Sequence, residues 1–330
     1  MPDGLLPVLP VLLLVLAAEF VNGWTDAPNA IATVVSTRVL SPSQALIMAT
    51  TLNVLGTMSG TAVAATIGKG IVRPEAINLS TVAAAMVGII SWSTLAWYYG
   101  LPTSESHALV AGLTGAGVAA AGPSALLWEG WSKVLIGILF STFLGFLVGL
   151  FIMAMLYRLL AESRPGTVRR SFGRLQIFSA AFMAFSHGSN DGQKFIGTFS
   201  LALLLGGLLP EFRIPLWVIL LCALTMGVGT AIGGWRIVRT MGLGITKLEA
   251  VQGFAAETGA ALTIELASRL GIPLSTTHTI NTAIMGVGAT RRFSAVRWGV
   301  TMEIVAAWIL TFPVCGLIAW VTTKAFMALQ

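Results

Sequence analysis

Four short polar stretches contain the residues whose types and spacing could support chemistry in this chain. They form two pairs, 22–30 with 187–194 and 101–107 with 272–278. Each stretch interrupts an apolar run. An ionisable residue at membrane depth is costly enough to indicate function, so the four stretches together are the candidate site.

Two of the stretches are predicted to bind an oxyanion. A Gly or Pro followed by Ser, Thr, Asn or Asp is a helix-start signal, and we expect a helix to begin within all four stretches. Such a start leaves four backbone N–H groups unpaired, which attracts an anion. Side-chain hydroxyls would add donors at Ser104, Ser106, Ser275, Thr276 and Thr277. Capping alone explains one of these residues per stretch, but it does not explain three polar residues in a row.

The other two stretches are predicted to bind a cation. Asp26 and Asn29 are three residues apart and share a helix face, so their oxygens suit Na⁺. In the second stretch, Asp191 is followed at the same spacing by Lys194, whose ammonium could replace a bound cation. Two interpretations of Lys194 stay open: it contacts the anion, or it neutralises Asp191 in an ion pair. The candidate Na⁺ ligands are Asp26, Asn29 and Asp191, and the substrate-binding set also includes Thr25, Asn190 and Lys194.

Further ionisable residues are also embedded in apolar sequence. Glu19 and Glu257 suit either a neutral structural role or proton coupling, and the sequence does not choose between them. The three histidines have no carboxylate at metal-ligand spacing. Hydrogen-bonded structural roles are therefore favoured over zinc for His107, His187 and His278.

The composition predicts an all-α integral membrane protein with several crossings of the cell membrane. The 330 residues are 56% hydrophobic and only 10% charged, whereas soluble domains carry about 25% charged residues. At about 20 residues per crossing, the chain has about ten to twelve helical segments, including half-helices or re-entrant hairpins. The basic residues that give the net charge of +6 lie between apolar runs, as in the loops of membrane proteins, so nucleic acid is excluded as a partner. No cofactor is expected.

The chain is predicted to contain two six-segment halves. Gly23, Asp26, Ile31 and Thr33 recur 165 positions later. We assign residues 1–160 to the first membrane repeat, 161–172 to a cytoplasmic linker and 173–330 to the second repeat. Five arginines between positions 158 and 174 place this region in the cytoplasm by the positive-inside rule, with both termini outside. Equivalent loops then lie on opposite sides of the membrane, which is an inverted repeat.

The duplicated Gly-x-x-Asp-x-x-Asn motif, paired with Pro-x-Ser-x-x-His, resembles the inorganic phosphate transporter family of membrane symporters. Both halves of the chain carry the resemblance. It implies an inverted-repeat helical fold, a homodimer in the lipid bilayer, and transport of inorganic phosphate with Na⁺ or H⁺. The sequence departs from the family pattern at Thr25 and Lys194, where Asn is usual, and at Glu105, where a hydroxyl residue is usual.

The expected function is therefore symport of inorganic phosphate across the cell membrane, with Na⁺ as the expected coupling ion. Sulfate, or another oxyanion, is the alternative substrate. An intramembrane enzyme is disfavoured because neither Gly-x-Ser-x-Gly nor His-Glu-x-x-His occurs. No nucleotide-binding motif occurs either, which disfavours ATP-driven pumping.

Overall fold

A computed structural model describes residues 5–329, and the fold within that range is helical. The extended backbone there forms a single isolated bridge between Val72 and Leu126. The helices are α1 (Leu5–Ser36), α2 (Pro42–Thr57), α3 (Ala62–Gly70), α4 (Leu79–Tyr98), α5 (Glu105–Ala121), α6 (Trp128–Leu139), α7 (Gly145–Leu159), α8 (Pro165–Leu205), α9 (Leu216–Ile232), α10 (Trp235–Arg239), α11 (Ala250–Arg269), α12 (Thr276–Arg291) and α13 (Trp298–Leu329).

Several of these helices are long and apolar enough to cross a membrane. Four spans qualify directly: α1, α4, α13, and α6 joined to α7 through a π-helical turn at Phe140–Leu144. Two bent helix pairs pass the same test when each pair is taken as one span: α2 with α3, bent by 67°, and α9 with the segment Trp235–Gly244, bent by 61°. The prediction of an all-α membrane protein is confirmed, and the inverted repeat stays a prediction.

Two apolar cores enclose a polar layer. One core contains Val8 to Ala18 of α1 and Phe195 to Leu203 of α8, and the other contains Ala30 to Val34 and Ala180 to Ala184 of the same helices. Between the cores, both helices carry buried polar side chains. The polar stretches found in the sequence therefore lie midway along α1 and α8.

The expectation that all four polar stretches begin helices is wrong for two of them. Residues 22–30 lie inside α1 and residues 187–194 lie inside α8, and both helices continue through them. α1 even contains Pro28. A continuous helix satisfies its own backbone in a setting without water, which favours it over a break.

The glycines in these stretches allow close helix packing and do not mark helix starts. A Cβ atom on Gly188 would lie 2.2 Å from the backbone oxygen of Asn53 in α2. A Cβ atom on Gly23 would lie 2.3 Å from the backbone oxygen of Met226 in α9. Small residues let membrane helices approach closely, and here they bring α2 and α9 against the polar layer.

Replacing Gly188 by Ala should destabilise the protein because the backbone oxygen of Asn53 cannot move aside cheaply. Overpacking of this kind costs about 1 to 3 kcal/mol. Gly173→Ala on the same helix is the matched control, since a Cβ atom there meets nothing within 4 Å. Thermal unfolding in detergent should show a lower Tm for Gly188→Ala only. Equal Tm values would contradict this account of the packing.

The loop in the Arg-rich region is shorter than the linker that the sequence predicts. α7 ends at Leu159 and α8 begins at Pro165, so most of the predicted linker, 161–172, lies in the first turns of α8. The five arginines between positions 158 and 174 are exposed. The cytoplasmic location of this region and the repeat limits 1–160 and 173–330 stay predictions.

Candidate functional site

Two helices begin inside the protein at the polar layer, as the sequence predicts. Ser104 is the N-cap of α5, and its hydroxyl oxygen accepts a hydrogen bond from the backbone N–H of His107 at 3.2 Å. Ser275 caps α12 in the same way, accepting from the N–H of His278 at 3.1 Å. Both caps satisfy one N–H group of their helix and leave the serine O–H free to donate.

The two helix starts meet one another. The Ser106 hydroxyl of α5 donates to the backbone oxygen of Leu274, next to the α12 cap, at 2.8 Å. The rings of His107 and His278 contact edge to face, with centroids 4.5 Å apart. The positive ends of both helix dipoles therefore lie in one buried region.

Lys194 lies at this meeting point, fully buried, with its ammonium surrounded by oxygens. It forms an ion pair with Asp191 one turn earlier on α8. It also donates to the Ser106 hydroxyl and, at 2.9 Å, to the backbone oxygen of Leu274. In the structure, Lys194 thus pairs with Asp191, which is the ion pair that one of the two interpretations of the sequence predicts.

The second carboxylate oxygen of Asp191 contacts Thr276 of α12 and His187 of α8 itself. Thr276 of α12 donates its hydroxyl to that oxygen at 2.7 Å. Nε2 of His187 lies 3.2 Å from the same oxygen, and Nδ1 of His187 lies 3.1 Å from the side-chain oxygen of Asn53. Sequence reasoning missed Asn53, which stands between Thr51 and Thr57 in a mostly apolar helix and matches no motif.

The candidate cation ligands of α1 face the hydroxyls of α12. The carboxylate of Asp26 accepts from the Thr277 hydroxyl at 3.3 and 3.4 Å. Asn29 donates its amide to the hydroxyl oxygens of Thr276 and Thr277 at 3.2 and 3.0 Å. Asp26, Asp191 and His187 each offer one ligand atom, and these atoms lie within 4.8 Å of one another. The expectation that no histidine has a carboxylate at metal-ligand spacing is therefore wrong for His187, which stands four residues before Asp191 on α8. All three predicted Na⁺ ligands, Asp26, Asn29 and Asp191, therefore contact Thr276 or Thr277 of α12.

Glu105 is hydrogen-bonded through both carboxyl oxygens. Thr25 of α1 donates to one of them at 2.9 Å, and Ser93 of α4 donates to the other at 2.6 Å. Thr25 thus contacts Glu105, and within the described range 5–329 no hydrogen bond joins its side chain to the group around Asp26. Ser93 was missed by sequence reasoning, because α4 also carries Ser91 and Thr94 and the local sequence does not distinguish Ser93 from them.

Asn190 is turned toward α11. Its amide donates to the Ser268 hydroxyl at 2.9 Å and to the backbone oxygen of Ile272 at 3.2 Å. No hydrogen bond within residues 5–329 joins its side chain to the two helix starts. The structure therefore does not bring Asn190 into the group formed by the other candidate residues.

A second buried polar cluster surrounds Glu257. Its carboxylate accepts from Thr33 at 2.5 Å, from Gln176 at 3.0 Å and from Ser179. Thr37 donates to Gln176 at 2.9 Å and lines a cavity of about 1050 Å³ beside Arg38, Arg169 and Arg170. The Glu257 cluster therefore lies between this cavity at the Arg-rich end and the polar layer.

The charges of the polar layer do not balance. Asp26, Asp191 and Glu105 contribute three carboxyl groups, and Lys194 contributes one ammonium, all nearly fully buried. Buried charges are stable only when they are paired or neutralised. The arrangement therefore suits the uptake of cations or protons together with an anion.

Comparisons with known proteins show which family this chain resembles over most of its length. The phosphate transporter family matches residues 22–319, a range that contains all four polar stretches. A probable low-affinity inorganic phosphate transporter of Rhizobium meliloti (strain 1021) is 45% identical over 303 residues, covering 91% of each chain. One with the same description from Bacillus subtilis (strain 168) is 38% identical over 315 residues, covering 94% of this chain and 95% of its own.

A solved structure has the same fold. It is described as the sodium-dependent phosphate transporter, and it superposes with a TM-score of 0.88 at 24% identity over 98% of this chain and 99% of its own. The relatives are transporters and not enzymes, and the apolar helices make this chain a multi-pass membrane protein. The chain belongs to the phosphate transporter family.

Proposed function

We propose that this protein is a symporter that moves inorganic phosphate across the cell membrane together with Na⁺ or H⁺. One observation carries the proposal: two buried helix N-termini meet beside three carboxyl groups and one ammonium. The helix ends attract an oxyanion. The surplus carboxyl groups require cations or protons to enter with it.

The hydroxyls at the helix starts explain how cation and anion binding are coupled. Thr276 and Thr277 now donate to the carboxylates of Asp191 and Asp26. A hydroxyl has a single proton to donate. When a cation or proton neutralises a carboxylate, the threonine hydroxyl is released to donate to phosphate. Cation loading therefore prepares the anion site.

The phosphate site consists of the free N–H groups of α5 and α12 together with nearby side chains. The residues assigned to it are Ser104, Ser106, Ser275, Thr276, Thr277 and Lys194. Thr25 and Asn190, which donate to Glu105 and to Ser268, lie outside it. Lys194 supplies the one fixed positive charge. With Na⁺ as the coupling ion, Asp26 and Asn29 are its ligands, and Asp191 is held by Lys194.

Phosphate fits this site better than sulfate does. A phosphate ion that carries a proton donates a hydrogen bond from its own O–H, whereas sulfate has none to donate. Asp26 and Asp191 are acceptors beside the helix starts. The phosphate O–H can donate to one of these carboxylates. Sulfate would leave that acceptor unpaired, at a cost of about 1 to 3 kcal/mol.

Uptake into proteoliposomes tests the proposal. Labelled phosphate and labelled sulfate are offered separately, with a Na⁺ gradient or a pH gradient imposed one at a time. We expect phosphate to accumulate against its gradient with at least one of the two driving ions, and sulfate to compete weakly. Uptake that never exceeds equilibration would contradict symport, and preferred uptake of sulfate would contradict the substrate.

Replacing Thr276 by Ala should weaken phosphate binding, because the lost hydroxyl leaves a buried partner unsatisfied. The expected loss is about 1 to 3 kcal/mol, or about 5- to 150-fold in the phosphate concentration for half-maximal uptake. Thr276→Ser keeps the hydroxyl and is the matched control. Initial rates over a range of phosphate concentrations separate the two variants, and identical half-saturation would remove Thr276 from the site.

We further propose an inverted repeat and a homodimer for this chain. The repeat is supported by the two matching caps, in which Ser104 and Ser275 each accept from the N–H three residues later. The exposed arginines around Arg164 support a cytoplasmic location for that end of the bundle. The dimer rests on the family resemblance.

A further inference from the structure

Glu19 and Asn22 form a buried pair that the proposed phosphate site does not use. Both residues lie on α1, in the two helical turns that precede Asp26, and both side chains are fully buried. The Asn22 amide donates to Glu19 Oε2 at 2.9 Å. The other oxygen of each side chain, Glu19 Oε1 and Asn22 Oδ1, is buried with no hydrogen-bond partner among the residues that the structure describes.

No positive group pairs with Glu19. The salt bridges found within residues 5–329 do not include it, and the one nearby cation, Lys194, is held by Asp191. The titratable groups that face Glu19 from the elements packed against α1 are Asp191 and Lys194 on α8, Glu105 on α5 and Cys222 on α9. An ionised Glu19 would therefore be an uncompensated charge beside two other carboxyl groups.

A proton satisfies this pair better than a metal cation does. Hard cations need several oxygen ligands, whereas the pair offers two unpaired oxygens. A proton on Oε1 removes the negative charge and converts one unpaired acceptor into a donor. It needs no ligand beyond the carboxyl group itself.

We propose that Glu19 is a proton-binding site that carries a coupling proton during phosphate transport. The inference rests on the proposed symport function and adds the ion and the residue that carries it. A proton from outside forms an O–H bond at Oε1, and its release on the other side restores the carboxylate. Ionised Glu19 adds negative charge near Asp191 and Glu105 and opposes anion entry, so protonation precedes phosphate binding.

The decisive variant is Glu19→Gln, which imitates the protonated state because its amide can both accept from and donate to Asn22. In proteoliposomes, exchange of internal for external phosphate needs no net proton movement, and we expect it to persist. Net uptake driven by an alkaline interior, measured at constant external pH so that the phosphate species stays the same, should fall about tenfold or more.

Glu257→Gln is the matched control, since Glu257 is equally buried but already has three hydrogen-bond donors. It should keep the response to the pH gradient. Loss of the response in both variants would overturn the assignment, and so would a wild-type protein whose net uptake ignores the pH gradient. In that last case, phosphate exchange and Na⁺-driven uptake would still support symport.

A measurement on the wild-type protein keeps the test independent of how the variant folds. An apolar carbodiimide reacts with protonated carboxyl groups inside membranes, and mass spectrometry locates the adduct. We expect labelling of Glu19 that decreases as the pH rises. Absence of labelling at acid pH, while Glu257 or another buried carboxyl group reacts, would contradict a proton site at Glu19.

Discussion

Replacing Asp26 by Asn is expected to abolish most phosphate uptake and to remove any dependence on Na⁺. Asparagine keeps the shape of the side chain but cannot supply the negative charge that recruits a cation. Without that cation, phosphate would enter a site whose remaining carboxyl groups repel it. We expect at least about a 30-fold fall in the uptake rate at low phosphate, or about 2 kcal/mol.

A surface carboxylate gives the control for Asp26→Asn. Glu211 is exposed and belongs to none of the salt bridges found within residues 5–329, so Glu211→Gln should leave uptake nearly unchanged. Initial uptake rates measured over a Na⁺ series compare the two variants. Steep Na⁺ dependence retained in Asp26→Asn would exclude Asp26 as a ligand of the coupling ion.

The helix starts could be predicted from the sequence because their signals are local. Pro-x-Ser-x-x-His contains the cap residue and the residue whose N–H it accepts, only three positions apart. Ser104 and Ser275 therefore form the same bond in the structure that their spacing predicts. Composition likewise predicts the all-helical membrane fold, since it depends on the sum of many residues.

The continuity of α1 and α8 could not be predicted in the same way. Gly23, Pro28 and Gly188 resemble helix-breaking signals, but their role depends on a neighbouring helix that the local sequence does not contain. Gly188 is small because the backbone at Asn53 lies against it. The contact of Asn53 with His187 likewise joins residues 134 positions apart. The contact of Ser93 with Glu105 joins two successive helices, α4 and α5.

Lys194 shows how the structure narrows an ambiguity left by the sequence. Its spacing from Asp191 allowed both an ion pair and a direct contact with the anion. In the structure, the ammonium pairs with Asp191 and also contacts Ser106 and the backbone oxygen of Leu274. Three oxygens therefore surround a positive charge at the place where two helices begin, an arrangement that resembles the coordination of a small cation.

Replacing Lys194 by Asn should consequently create a second cation site. The carboxylate of Asp191, the Ser106 hydroxyl and the Leu274 carbonyl would remain as ligands, and the new amide oxygen would add one more. Because a mobile cation then replaces a fixed charge, phosphate uptake should depend more steeply on Na⁺, with a higher Hill coefficient. Uptake at low Na⁺ should fall, since Asp191 has no partner until the ion binds.

Lys194→Met provides the matched contrast, because methionine fills the space without supplying charge or an oxygen ligand. Removing one partner of a buried pair costs about 3 to 5 kcal/mol, so this variant should lose uptake at every Na⁺ concentration. Initial rates over a Na⁺ series distinguish the two variants. If Lys194→Asn matched the wild type in both rate and Na⁺ dependence, Lys194 would neither hold the anion nor replace a cation, and the buried carboxylate of Asp191 would require a different partner.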